Sequence, residues 1–400
     1  MISYEEAFEL VLSNVPTMGT ARVVLSELTN RVLAEPIHSP IDLPIFTNSA
    51  VDGYAVRSAD AKSATTLKVV GYVPAGTAPF MAPAAGEAVR VFTGSPLPQN
   101  ADAVVMQEYV EVVGDQISIL DSVEQKAFVR ERGEELRCGD LLLSPNTLVT
   151  PATLATLATV GVSEVEVYKR PRVAVIGTGT ELVPAGSELQ PGQIFESNTH
   201  GISAAARLAG GNVGFVAHAK DDPIEIGEAL RVALKDHDLV ITCGGVSVGD
   251  HDYVREACGK LGVNEVFWRV AMRPGRPLYF GVGGEGQLVF GLPGNPVSAL
   301  VTFLLFVRPA LLAMVGLDGR TQFVSAKLGE RISKAKGRAD FVRAKSRGGA
   351  ELILDPVDGQ GSHMSTGLAG ADHLIFTPVE TECIEAGEAV RATRIQWGLC

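Results

Sequence analysis

At 400 residues the chain exceeds what one hydrophobic core usually supports, so two or more domains are expected. With 46% hydrophobic and 20% charged residues and no low-complexity tract, it reads as an ordinary soluble globular protein rather than a disordered or fibrous one. A formal charge of -12 opposes unspecific attraction to nucleic acid or an anionic membrane, so an anionic ligand needs a local basic cluster. The five cysteines form no C-x-x-C pair and no metal-spaced set with histidine, which points away from zinc and disulfides and toward a reducing cytoplasm.

The N-terminal "MISYEEAFELVLSN" carries acid where a signal peptide carries base. Ser3 and Glu6 instead make a capping box, and Tyr4, Phe8, Val11 and Leu12 recur on one helical face. A second helix is expected over Leu25 to Ala34, the two forming a packing arm. From about Leu43 to Asp140 short alternating runs ("LKVVGYV", "EAVRVF", "ADAVVMQ", "DQISIL") broken by glycine and proline predict a β-rich unit. Next comes "TPATLATLATVGV", a helix with Thr150 as cap, Pro151 in the first turn and Gly161 as stop. Paired with the N-terminal helices, it would make the β unit an insertion into a discontinuous elongated domain (1–45 and 141–170, around 46–140).

From Arg172, strand-like runs ("RVAVIGTG", "VGFVAHA", "DLVITC") alternate with helical patterns, one of them entered through Pro223. This predicts an α/β domain over 171–317, with a parallel-type sheet flanked by helices and ligands at the carboxyl ends of its strands. The apolar run Val297 to Val307 is expected to be a buried helix, too short for a bilayer and stopped by Arg308 and Pro309. After Leu317, "FVSAKL", "DFVRAK", "ELILDPV", "HLIFTPV" and "AVRATRI" predict a compact C-terminal β domain over 318–400, barrel-like in the fold class expected.

Chemistry concentrates at the strand ends of the α/β domain. In "DLVITCGGVSVGDHDY", Gly244 and Gly245 leave an inner strand before a helix, where bare backbone N–H groups and the helix dipole suit an anion such as phosphate, although a tight β-to-α turn also needs glycine. "GTGTEL" (Gly177 to Leu182) leaves its strand in the same way. Glu181, Asp221, Asp222, Asp250 and Asp252 gather on that rim, and hard oxygen ligands beside a phosphate site suit Mg²⁺. Asp222, before Pro223, reads better as a helix cap than as a ligand, and His251 as a solvated loop residue. Arg269, Arg273 and Arg276 in "FWRVAMRPGRP" supply planar donors for a multi-oxygen anion, stiffened by Pro274, Gly275 and Pro277. "GLPGNPVSA" brings a fourth loop, with Asn295 as cap and Pro296 in the first turn. Asp52 and Thr93, in "SAVDGYAVR" and "VFTGSPLPQNADAVVM", are explained by turn chemistry alone.

Taken together, "NSAVDGYAVR", "FTGSPLPQNADAVVMQE", "RERGEEL", "GTGTEL", "KDDP", "TCGGVSVGDHDY", "FWRVAMRPGRP", "GLPGNPVSA" and, more weakly, "GRADFVRAK" with "GQGSHMS" resemble the molybdopterin molybdenumtransferase (MoeA) family, which is related to the E domain of gephyrin. The resemblance implies a homodimer with its active site between the α/β domain of one subunit and the insertion of the other. It implies a reaction in which adenylylated molybdopterin loses AMP and receives molybdate, with Mg²⁺ present. The molybdopterin adenylyltransferase and acceptor molybdoenzymes would be partners, and no nucleic acid or membrane is involved. Carried over, the family's functional positions fall on Asp52, Thr93, Glu181, Asp221, Asp252, Pro293 and Pro296, with Arg343 and Ser362 helping to hold molybdate. Gly244, Gly245 and Ser247 would cradle the substrate, Glu181, Asp221 and Asp252 would hold the metal, and Arg269, Arg273 and Arg276 stand where well-known members carry lysine. Glu135 replaces a familiar aspartate. A gephyrin-like scaffold, or a phosphoanhydride hydrolase built on the same α/β domain, is the competing reading.

Overall fold

The computed structural model describes residues 1–78, 80–245 and 252–399. Ser3 Oγ accepts from the Glu6 N–H at 3.0 Å and starts the helix Tyr4–Ser13. The buried face of this helix does not join the elongated arm. Tyr4, Ala7, Phe8 and Val11 pack into the core shared by the α/β domain and the C-terminal domain, where the Tyr4 ring meets Phe306 at 5.5 Å and Phe341 at 4.9 Å edge-on. Burial pushes the Tyr4 hydroxyl up to about 12, so it stays neutral in that core.

The second expected helix is absent from the described residues apart from a single tight turn at Leu25–Glu27. The strand Thr20–Val24 pairs antiparallel with Glu164–Tyr168, and Val32 and Leu33 bridge to Leu148 and Val167. Leu28 and Leu33 are buried by these long-range pairings, together with Val149, Leu157 and Val165. The arm's helix is Pro151–Thr159, capped reciprocally by Thr150 and Thr153, and Leu157 packs into this small core rather than against the N-terminal helix. The insertion is a six-stranded sheet whose successive strands are Ala103–Met106, Gly53–Val56, Glu87–Val91, Thr66–Val73, Gln116–Ile119 and Val110–Val113. It buries apolar side chains on both faces.

The α/β domain has a six-stranded sheet ordered Asn212–Ala219, Arg172–Thr178, Leu239–Cys243, Leu288–Leu292, Tyr279–Val282, Asn264–Trp268. Pairing among the first four strands is parallel, and the last two add antiparallel at one edge. The inner strands read as continuous apolar runs because both faces are covered, by Ile202 and Ala206 of the helix Asn198–Leu208 on one side and Ile226 and Leu230 of the helix Pro223–Asp236 on the other. Asp222 caps the latter helix as expected, accepting from Ile224 N–H at 2.8 Å and Glu225 N–H at 3.0 Å.

Pro309 does not end the apolar helix, which runs from Pro296 to Met314. A π-turn over Phe303–Val307, in which Arg308 N–H reaches back to Phe303 O, shifts the hydrogen-bond pattern just before the proline. This helix is long and apolar enough to cross a membrane, but 83% of it is buried inside the protein, as a core helix requires. In the C-terminal domain, Ala339–Arg347 pairs with both Ile353–Pro356 and His373–Thr377, which closes the sheet into a barrel. The two-residue strand Met272–Arg273 of the α/β domain joins that barrel, parallel to Ala339–Asp340.

At the amino edge of the α/β sheet, Asp238 accepts from the Arg172 N–H at 2.7 Å and from its guanidinium at 2.8 and 3.2 Å. Burial alone would raise this carboxyl, but the Arg172 hydrogen bonds outweigh it and hold it below the usual carboxylate range. A depressed carboxyl stabilises the fold above its unfolded value and loses that contribution as pH falls through its folded value. The melting-temperature gap between the parent and Asp238→Asn should therefore shrink from about pH 6 to about pH 3; scanning calorimetry across that range checks it.

Candidate active site

The parallel strands end level with one another: Gly177 pairs with Cys243, Cys243 with Leu292, and Thr178 with Ala219. The loops that leave these ends open on one cavity of about 920 Å³. Of the residues expected from the sequence, Glu181, Asp221, Gly244, Gly245, Arg276, Pro293 and Pro296 line it.

Close approach explains the glycines. Gly244 has φ +94°, and a Cβ there would lie 2.6 Å from Thr178 O; Gly245 has φ +68°, and its Cβ would lie 2.7 Å from Val254 Cγ2. Neither position tolerates a side chain, so the cavity floor is bare backbone. Two acidic loops are latched together beside it. Asp221 Oδ2 accepts from Thr180 N–H at 3.1 Å, and Thr180 Oγ1 accepts from Asp221 N–H at 3.2 Å. Glu181 and Asp221 both line the cavity at this latch.

Asn295 occupies the cap position of the long helix, but its side chain makes no capping bond. It donates instead to Ser362 Oγ at 3.0 Å, while Ser362 O accepts from Val297 N–H at 3.2 Å. A loop of the barrel domain thus caps the helix and brings His363 into the cavity wall. Sequence reasoning missed His363, and also Glu196 and Asn198. Glu196 accepts from the Thr199 N–H at 2.7 Å and hydroxyl at 2.5 Å, holding the helix start in place. Asn198 donates to Gly294 O at 2.7 Å and ties that helix to the fourth loop. The stretch "ESNT", an acid three residues ahead of a hydroxyl at a helix start, was the available signal.

Other expected residues stand beside the cavity rather than in its lining. Asp252 precedes the lining residue Tyr253 and caps the helix Tyr253–Lys260, with Oδ1 accepting from Arg255 N–H at 3.2 Å. Its Oδ2 is buried with no hydrogen-bond partner among the described residues, and desolvation raises the carboxyl above its usual range. Arg269 adopts φ +73° and lays its guanidinium 3.7 Å from the centroid of the Trp268 ring. Arg273 lies 4.0 Å from Asp340 of the barrel. Arg343 is 1% exposed, and its Nη2 donates to Gly359 O at 2.6 Å and Gly361 O at 3.3 Å, so it shapes the loop carrying Ser362 from behind. Asp52 Oδ1 accepts from the Thr93 N–H at 2.8 Å and hydroxyl at 2.9 Å, which hold its carboxyl below the usual range, but this pair does not line the cavity. Ser247, Asp250 and His251 lie outside the described residues.

Comparison with known proteins covers almost the whole chain. Family profiles described as "MoeA N-terminal region (domain I and II)", "Probable molybdopterin binding domain" and "MoeA C-terminal region (domain IV)" match residues 2–161, 174–313 and 325–395. The sequence is 37% identical over 403 residues to a molybdopterin molybdenumtransferase from Haemophilus influenzae, covering 98% of each chain. It is 35% identical to one from Staphylococcus aureus, covering 97% of this chain and 94% of that one. A crystal structure of the molybdopterin biosynthesis moeA protein from Pyrococcus horikoshii superimposes with a TM-score of 0.85 at 31% identity, over 99% of this chain and 100% of that one.

Gly244→Ala should lower stability in urea unfolding by about 2 kcal/mol, from strain at positive φ and overlap with the Thr178 carbonyl. Gly227→Ala, in the helix Pro223–Asp236 with nothing within 4 Å of the added methyl, should raise it by about 0.5–1 kcal/mol and serves as the control.

Proposed function

Because the chain belongs to the molybdopterin molybdenumtransferase family, we propose that it is the transferase of molybdenum cofactor biosynthesis that releases AMP from adenylylated molybdopterin and places molybdate on the dithiolene, with Mg²⁺ present. The observation that carries this reading is the single cavity in which bare backbone, two acidic loops and Arg276 meet. A substrate with phosphates needs the first and last of these, and a magnesium-bound phosphate needs the acidic loops.

The donor set suits Mg²⁺. Among the described residues no three acidic, histidine or cysteine side chains converge into a ready-made cage. Mg²⁺ does not require one, since it binds through one or two carboxylates together with substrate phosphate and water. Glu181 and Asp221 line the cavity, and Asp252 beside it has a buried oxygen with no hydrogen-bond partner among the described residues. Glu181 and Asp221 would hold the ion from the lining, with Asp252 beside the cavity as the third candidate ligand, and when bound the ion supplies charge neutralisation at the phosphoanhydride.

The chain's own residues do the remaining work. The Gly244 and Gly245 backbone approaches the phosphates closely, and Arg276 stabilises the charge that grows as AMP departs. Pro293 and Pro296 stiffen the fourth loop, which fixes the walls. Arg269 and Arg273 supply positive charge for molybdate, and Ser362 orients it from the barrel side. Arg343, with its guanidinium on loop carbonyls, acts by holding Ser362 in place. Asp52 and Thr93 lie outside the cavity within one chain, and in a homodimer the partner's insertion would bring this pair to the site. In the cytoplasm, a molybdopterin adenylyltransferase would supply the substrate and acceptor molybdoenzymes would take the product.

The test follows AMP after mixing protein, adenylylated molybdopterin, Mg²⁺ and molybdate. Release that requires molybdate is the expected result; release indifferent to molybdate indicates a hydrolase, and none indicates a scaffold. Asp252→Asn keeps a good helix cap but removes a desolvated charge. It should melt higher than the parent without Mg²⁺ and need at least about tenfold more Mg²⁺ for turnover. An unaltered Mg²⁺ requirement removes Asp252 from the metal site.

A further inference from the structure

A second cavity, of about 490 Å³, lies between the helix Pro296–Met314 and the C-terminal barrel, away from the strand ends. Leu304, Leu305 and Leu312 from the helix and Leu352 and Leu374 from the barrel give it an apolar wall.

Its polar wall is built around a fixed imidazole. His373 is 8% exposed, and its Nδ1 lies 2.7 Å from Asp372 Oδ1. Asp372 is itself held by the Ser346 N–H at 2.9 Å and hydroxyl at 2.7 Å. Burial would raise the Asp372 carboxyl, but the hydrogen bonds from His373 and Ser346 keep it below its usual range, so it remains the acceptor. A carboxylate at Nδ1 sets the imidazole orientation and leaves Nε2 for whatever occupies the cavity.

Arg394 stands directly opposite His373 in the antiparallel pairing of His373–Thr377 with Ala389–Arg394, so both side chains share one face of the sheet. Both line the cavity. The other arginines there are already engaged, Arg320 with Glu9 at 2.7 Å and Arg308 through Nε with Gly398 O at 2.9 Å. In a chain of net charge -12, a guanidinium and an imidazole paired over a leucine wall form a local site for a negative head group with an apolar body. Asp318 on the same wall argues against a doubly charged head.

We propose that this cavity binds a small amphipathic monocarboxylate, its head between Arg394 and His373 and its chain along Leu304, Leu305, Leu312 and Leu352. The site is separate from the strand-end cavity and does not depend on the proposed reaction.

Histidine-selective ¹³C NMR on the full chain tests it, with the His373 signal identified by its loss in His373→Gln. Decanoate should move that signal saturably. Decanol should bind about tenfold more weakly or worse, and inorganic phosphate should leave the signal unmoved. Arg394→Glu should weaken decanoate binding by about tenfold or more, and Leu352→Trp should abolish it by filling the cavity. The proposal is overturned if decanoate gives no saturable shift, if phosphate or decanol binds as tightly as decanoate, or if both cavity variants bind like the parent. The ligand comparison needs only the parent protein, so it stands even where a variant misfolds.

Discussion

The constraint on which the site depends is register. Parallel strands place their loops according to where each strand stops, and here Gly177, Cys243 and Leu292 are level across the sheet. A slip of one residue in any of them would exchange the side chains that face the two helix layers and carry its loop about 3.3 Å away from the others. Because each layer is close-packed against its own set of side chains, that exchange would leave mismatched shapes in both cores. Once the ends are level, the outgoing chains crowd one another, and the closest contact, Gly244 against the Thr178 carbonyl, admits only glycine. The crowding that selects glycine also exposes the backbone to a ligand.

A second constraint ties the barrel to this edge. The short strand Met272–Arg273 hydrogen-bonds into the barrel alongside Ala339–Asp340, and Ser362 of the barrel caps the helix that begins at Pro296. Buried Arg343 holds the Ser362 loop by its carbonyls, and burial, with Arg273 as a second influence, lowers its pKa. Shared aromatic packing around Tyr4, Phe306, Phe341 and Phe376 makes the two domains one core. The cavity therefore has walls from two domains that cannot move independently without breaking both the sheet pairing and the core.

What was legible in the sequence was local chemistry. Caps at Ser3, Thr150 and Asp222, glycine turns after apolar runs, and the alternation of strand and helix each follow from a few adjacent residues, and each is realised. What was not legible was decided by distant partners. Leu25, Leu28 and Val32 have helical spacing, yet Val32 and Leu33 pair with Leu148 and Val167, more than a hundred residues away, and extended backbone wins. Pro309 should break a helix, but a π-turn in the preceding residues absorbs it. The antiparallel edge pair carries no signature distinguishing it from further parallel strands. The arginine side chains were the least readable: sequence gave three of them close spacing, while Arg276 enters the cavity, Arg269 lies on Trp268 and Arg273 leans toward Asp340.

These directions matter because charge in this acidic chain has to be arranged locally. Arg255 is clamped by Glu265 through two nitrogens, at 2.5 and 3.0 Å, while also lying over Trp268, so its charge is largely spent within the fold. Asp252 sits within reach of this cluster, with Arg255, Glu265 and Arg269 all acting on it. Even so, burial outweighs the arginines, and one of its oxygens has no hydrogen-bond partner among the described residues. A buried carboxylate left in that state costs free energy unless a cation or donor meets it. Glu181 and Asp221, which line the cavity, lie on exposed loops. Among the described residues, Asp252 is thus a carboxylate that the fold desolvates more than it compensates.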